Sequence, residues 1–179
     1  YGRSKWVLEQ AIEGAGGVNL RLGVVIGNGG MFQRMKDSLR RSPVVPLLDG
    51  GRSRIHIVDV GFLADFVSRC LLESGEPRPG RPLFLQQPTP VLLVDVLTSI
   101  RRHFGYRCRF VPVPSLPVLW GVILAERIPG LTLPVSSTNL KGLRRNAGEE
   151  FPSDFLELGG KEEGLDTLVA RAASAEGRG

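Results

Sequence analysis

Apolar residues recur along this chain with two alternating spacings. Spacings of three and four residues, as through Val60–Leu72, predict helices, whereas short continuous apolar runs predict strands. Glycine, proline and Asp-Gly turns stand between these segments and end them. Because predicted helices and strands alternate, we expect a protein of the α/β class.

The individual elements follow from these spacings. Helices are expected at 1–14, 31–41, 60–72, 91–104, 116–127 and 138–146, and strands at 18–26, 44–48, 55–58, 83–85 and 107–113. A turn at 49–51 and a loop at 75–82 are rich in glycine or proline. The final residues are small and polar and are expected to fray.

Composition excludes several classes of protein. Of 179 residues, 42% are hydrophobic and 23% are charged, which is ordinary for a soluble globular protein. The two cysteines form no CxxC pair, so we expect reduced thiols, no zinc site and a cytoplasmic protein. The longest apolar run, at 116–125, is too short for the roughly 20 residues of a membrane-spanning helix.

Charge is unevenly distributed around a net value of +5. Arginines and one lysine cluster at 34–41 and again at 101–109, whereas seven acids lie between positions 149 and 166. The clusters lack interleaved aromatic residues, so we expect no nucleic-acid partner and favour phosphate-bearing small molecules. The helix at 34–41 and the late acids are interpreted as solvated surface.

Tyr1 and Lys5 carry the strongest chemical signal. They form a YxxxK pattern, and with Leu8 and Ile12 they share one face of the first predicted helix. A phenol has a pKa of about 10, and an ammonium group one helical turn away favours the phenolate. Lowering that pKa to neutrality requires roughly 4 kcal/mol, so we expect this face to point inward, where the pair is desolvated.

Three further motifs follow YGRSK at 1–5. They are LRLGVVIGNG at 20–29, PLLDGGR at 46–52 and IHIVDV at 55–60. The succession resembles that of the extended short-chain dehydrogenases/reductases, where YxxxK precedes LRPGxVYGPG, DGxxxR and hHVDDhA patterns (h, hydrophobic). It resembles most the atypical members near the complex I accessory subunits and the sugar-nucleotide epimerases. The similarity is good over 1–75 and loose over 76–150.

The resemblance implies roles for particular residues. Tyr1 would be the general acid/base, and Lys5 would lower the pKa of Tyr1 and bind the ribose of NAD or NADP. The cofactor-binding segment past the nicotinamide would be Leu22, Gly23, Val24 and Val25. Arg52 matches an arginine that binds the substrate diphosphate, and Arg54 is close enough in sequence to replace it.

Other residues depart from the family pattern or have a simpler explanation. Leu22 replaces a frequent proline, and Ile26 replaces a frequent tyrosine. We interpret His56 as a structural histidine, and Asp59 as the N-cap of the helix that follows.

The glycine-rich phosphate loop of a first βαβ unit is absent from the sequence. We therefore expect the C-terminal part of a Rossmann-like parallel sheet with a small mixed substrate-binding lobe, and no NAD(P)H binding by these residues alone. Expected units are the nucleotide-domain portion 1–75, the lobe 76–150 and an acidic, flexible tail 151–179.

The implied parent is an oxidoreductase or epimerase of hydroxyl or carbonyl substrates, with nucleotide sugars among the candidates. A non-catalytic accessory protein is the alternative, and a homodimer stays open.

Overall fold

A computed structural model describes residues 2–72, 81–117 and 152–177. Tyr1 and the helix predicted at 138–146 lie outside these ranges, as do most of the predicted loop 75–82 and helix 116–127. The proposed lobe 76–150 is therefore described only in part, and its boundaries stay a prediction.

Helices and strands alternate along the described chain. The helices are α1 (Gly2–Gly14), α2 (Gly30–Arg41), α3 (Val60–Leu72), α4 (Leu93–His103) and α5 (Leu165–Glu176). The strands are β1 (Leu20–Leu22), β2 (Val24–Ile26), β3 (Val44–Leu48), β4 (Arg54–Ile55), β5 (Ile57–Asp59), β6 (Leu83–Leu85), β7 (Val91–Leu92) and β8 (Arg109–Val113). A 3₁₀ turn, Asp49–Gly51, follows β3. The helix predicted at 91–104 is preceded by β7, and α5 was not predicted.

Strand pairing is mostly parallel. Within the described ranges β1 pairs with β6, β2 with β5 and β3 with β8, all parallel, whereas β4 and β7 are antiparallel. Parallel strands joined by helical segments confirm the predicted α/β class. The antiparallel pair makes the strand arrangement mixed.

Gly23 divides the strand that was predicted at 18–26. A Cβ at this position would lie 2.6 Å from the carbonyl oxygen of His56, so only glycine allows the close approach. The backbone N–H of Val24 donates to that same oxygen at 2.8 Å. The chain thus changes pairing partner at Gly23, from β6 to β5.

The main core lies between α2, α4, α5 and the β2 and β3 strands. Its central members are fully or almost fully buried: Ile26, Phe32, Leu39, Ile57, Val96, Ile100, Leu168 and Val169. A smaller cluster of Phe66, Leu83 and Leu85 lies between α3 and β6. Among the described helices none is long and apolar enough to cross a membrane.

The prediction of a flexible tail at 151–179 is wrong for α5. Leu168 and Val169 are 1% and 0% exposed and belong to the main core. They lie on adjacent positions of a helix that packs against α4. The small and polar residues around them mask this apolar strip in the sequence.

Two expectations of solvated charge are also wrong. Lys36 is 1% exposed; its ammonium group forms an ion pair with Glu176 and lies 4.6 Å from the ring centroid of Phe104. Asp154 is 5% exposed and accepts hydrogen bonds from the guanidinium of Arg81 at 2.6 and 2.8 Å. Each buried charge is compensated by a partner far away in the sequence.

Candidate functional site

A groove of about 630 Å³ lies beside Gly23, where the chain changes pairing partner. It is lined by residues of β1, β2, the start of α2, β4 and the end of β6: Arg21, Leu22, Gly23, Val24, Val25, Gly30, Met31, Ser53, Arg54, Ile55, His56, Phe84 and Gln86. All four residues of the predicted cofactor-binding segment, Leu22 to Val25, therefore line this groove. Their role in cofactor binding stays a prediction.

The departures from the family pattern at Leu22 and Ile26 have different consequences. Leu22 is 42% exposed and contributes an apolar side chain to the groove. Ile26 is 1% exposed and packs in the main core with Phe32 and Ile57. The substitution at Ile26 is therefore explained by packing, because this side chain does not face the groove.

The structure distinguishes the two candidate arginines. Arg54 lies in β4 and lines the groove together with Ser53. Arg52 follows the 3₁₀ turn, is exposed, and is not among the described residues that line this groove. Strand alternation does not separate the two, because Arg52 and Arg54 are two positions apart and an extended strand would place both on one face.

His56 and Asp59 have the structural roles that were predicted. The Nδ1 of His56 donates to the carbonyl oxygen of Gln87 at 2.8 Å, which connects the residue before β5 to the segment after β6. Oδ2 of Asp59 accepts from the backbone N–H of Phe62 at 3.2 Å and so caps α3. Arg171 of α5 also lies 3.3 Å from Asp59, a contact that the sequence did not suggest.

Lys5 lies at a second groove, between α1 and β1, of about 940 Å³. This groove shares Arg21 and Leu22 with the first, so the two adjoin. Lys5 is exposed, Leu8 is 59% exposed and Ile12 is half-buried. The expected inward face is therefore wrong at Leu8.

Polar contacts explain the orientation of α1. The side-chain amide of Asn19 donates to the backbone oxygen of Glu9 at 3.0 Å, and Arg21 forms an ion pair with the Glu9 carboxylate at 2.7 Å. The hydrogen bond from Arg21 lowers the pKa of Glu9, and attraction to Lys5 acts in the same direction. Glu9 thus stays ionised and joins α1, which also carries Lys5, to Arg21 of β1.

Comparisons with known proteins place this geometry in a fold. No family model and no curated protein matches the sequence. Among solved structures, human epimerase family protein SDR39U1 with NADPH is 19% identical with a TM-score of 0.57, over 88% of this chain and 48% of that one. The structure of gox2253 is 15% identical with a TM-score of 0.67, over 98% and 54%.

A third similar structure is UDP-glucose-4-epimerase from Stenotrophomonas maltophila with bound NAD and formylated UDP-arabinopyranose. It is 16% identical with a TM-score of 0.54, over 99% of this chain and 55% of that one. The chain therefore spans about half the length of these proteins. The likeness confirms at the level of the fold the resemblance that the sequence motifs predicted.

Proposed function

We propose that this chain is the substrate-side part of an NAD(P)-dependent oxidoreductase or epimerase of the extended short-chain dehydrogenase/reductase family. The observation that carries the proposal is that Leu22 to Val25 and Arg54 line the same groove. The fold shared with proteins crystallised with NADPH or NAD supports the choice of cofactor.

The nicotinamide end of the cofactor fits the apolar wall of this groove. Leu22, Val24 and Val25 offer hydrocarbon surface, and Gly23 adds no side chain that would narrow the wall. When bound, the cofactor supplies hydride chemistry, whereas the protein orients it. The sequence has no GxGxxG loop, so we assign the pyrophosphate site to a part of the protein outside these 179 residues.

Proton transfer is assigned to Tyr1 with Lys5. The phenol gives a proton to, or takes one from, the oxygen of the substrate as the neighbouring carbon gains or loses hydride. The assignment is supported by the position of Lys5, which lines the groove that adjoins the first. A cation near the phenol would favour the phenolate.

The substrate end is assigned to Arg54, with Arg52 retained as the alternative that the motif suggested. A guanidinium group binds phosphate with two parallel hydrogen bonds, which suits a nucleotide sugar. Arg54 lines the same groove as the cofactor wall, so it is the better placed of the two.

A non-catalytic accessory protein is the second candidate. The exposure of Lys5 and the replacement of the family proline by Leu22 favour it, because desolvation of the Tyr-Lys pair is what makes the phenol reactive.

The experiment uses the protein in which this chain is joined to its dinucleotide-binding part. Tyr1→Phe should lower kcat by about 10²- to 10⁴-fold while NAD(P)H affinity, measured by fluorescence titration, is preserved. Arg54→Gln should raise KM for a nucleotide sugar more than Arg52→Gln does. Binding of NAD(P)H without turnover in the unaltered protein would instead identify the accessory protein, and micromolar binding by the 179 residues alone would refute the assignment of the pyrophosphate site.

A further inference from the structure

The outer face of the β3–β8 pair is apolar and exposed. The two strands are parallel, with Val44 opposite Arg109 and Pro46 opposite Val111. Val44 and Val111 are 48% and 43% exposed and Pro46 is exposed, whereas the alternate residue Val45 is 7% exposed. Alternation along β3 therefore gives one face to the core and the other to the surroundings. On β8 the neighbouring Val111 and Pro112 are both exposed.

Four arginines lie at one edge of this face. Arg40 and Arg41 end α2 just before β3, Arg109 begins β8, and Arg107 lies two residues before it. Because the strands are parallel, their starting ends lie together, and the N–H of Arg109 donates to the carbonyl oxygen of Pro43 at 2.9 Å. All four arginines are exposed. We call these four residues the arginine edge.

The arginine edge is poorly neutralised. Asp37 lies 3.5 Å from Arg40 and 3.9 Å from Arg41, and both distances describe weak, solvent-screened ion pairs. Within the described ranges, no carboxylate forms an ion pair with Arg107 or Arg109. Among the described carboxylates, Asp37 is the one that forms ion pairs with this edge, and only with Arg40 and Arg41.

We propose that the β3–β8 face and the arginine edge dock this protein onto an anionic membrane surface. Basic groups bordering exposed apolar side chains match the interface of a bilayer, where headgroups carry negative charge above the hydrocarbon. Ser53 and Arg54 of the groove follow the opposite end of β3, so docking leaves that end accessible. The proposal is independent of the enzymatic assignment.

A nucleic-acid partner fits this surface less well. Single-stranded nucleic acid is held by free aromatic rings on which bases stack. Tyr106 already stacks on Phe104 with the ring centroids 5.8 Å apart, and Arg101 covers the ring of Phe110 at 4.9 Å. Apart from Arg109 of the arginine edge, the side chains exposed on the outer β3–β8 face are aliphatic, which favours lipid.

Flotation of vesicles on a density gradient tests the proposal, because aggregated protein sinks whereas bound protein rises. The protein should float with phosphatidylcholine vesicles that contain about 30% phosphatidylserine and should stay below with pure phosphatidylcholine. Arg107→Gln with Arg109→Gln should weaken binding about 30-fold, since each arginine near an anionic surface contributes about 1 kcal/mol. Val111→Ser should weaken binding further.

The matched control is Arg52→Gln with Lys161→Gln, which removes the same charge from exposed positions away from the arginine edge. It should float as the unaltered protein does. Equal flotation with neutral vesicles, equal loss in the control, or binding to RNA but to no vesicle would overturn the proposal. If the double variant fails to fold by circular dichroism, Arg109→Gln alone should show about a fivefold loss.

Discussion

Helices α1 and α5 are opposites in sequence and in structure. The first was expected to bury an apolar face, yet Trp6, Val7 and Leu8 are each more than half exposed. The second stands in a segment rich in acids and small residues, yet Leu168 and Val169 are buried completely or nearly so.

The difference shows that the spacing of apolar residues indicates which face of a helix could be buried. Whether that face is buried depends on the elements that pack against it. In the described ranges α1 is held by Asn19 and Arg21, through bonds to Glu9. Helix α5 meets α4 and β2 and adds ion pairs to Lys36 and Asp59. A helix face is buried where an element of complementary shape and charge packs against it, and tertiary structure determines which element that is.

The largest test of this contrast compares the same truncation in both helices. Leu168→Ala should lower the free energy of unfolding by about 2–5 kcal/mol, because it leaves a cavity in the main core. Leu8→Ala should change it by no more than about 0.5 kcal/mol, because Leu8 is 59% exposed. Urea unfolding followed by circular dichroism measures both, and similar losses would mean that α1 is buried in solution.

Sequence reasoning located most elements because their signals are local. The bounds of β3 and α3 agree with the prediction, and Asp59 caps α3 as its position before an apolar helix indicated. The break between β1 and β2 at Gly23 depends on the close approach of the His56 carbonyl oxygen, and the residue pattern of the strand itself does not show that contact.

The candidate site was predictable in part for the same reason. Leu22 to Val25 are contiguous, so a motif could identify them, and they do line one groove. The placement of Arg54 rather than Arg52 depends on the path of the chain after the 3₁₀ turn. The buried pair Lys36–Glu176 joins residues 140 positions apart, and no local pattern predicts it.

A smaller effect is expected at that buried pair. Glu176→Gln should lower the free energy of unfolding by about 1–2 kcal/mol, because it leaves the Lys36 ammonium buried without its anion. The figure is reduced because the Glu176 side chain is 46% exposed, which weakens the pair. Lys36→Met should cost less than Glu176→Gln, since an apolar chain of similar length suits the site beside Phe104. The reverse order in thermal or urea unfolding would show that the ion pair, and not the burial of the chain, holds α5.

The smallest effect concerns pH and the buried carboxylate that anchors the segment before α5. Hydrogen bonds from Arg81, with a further one from the N–H of Phe84, lower the pKa of Asp154 below its ordinary value of 3.8. In the unfolded chain this carboxyl group takes up a proton first as pH falls, so its contribution is complete above about pH 5 and is lost as pH drops through the folded pKa. Asp154→Asn should therefore flatten the dependence of unfolding free energy on pH between about pH 5 and pH 3.

The control is Glu9→Gln, because Arg21 also lowers the pKa of Glu9 but on the exposed helix α1. Its effect should be weaker and should vanish in about 1 M salt, where the Debye length is about 3 Å. A larger flattening of the pH dependence by Glu9→Gln than by Asp154→Asn would mean that the ion pair on α1 is the less exposed to solvent. The contrast between a solvent-exposed α1 and a buried segment around α5 would then be wrong.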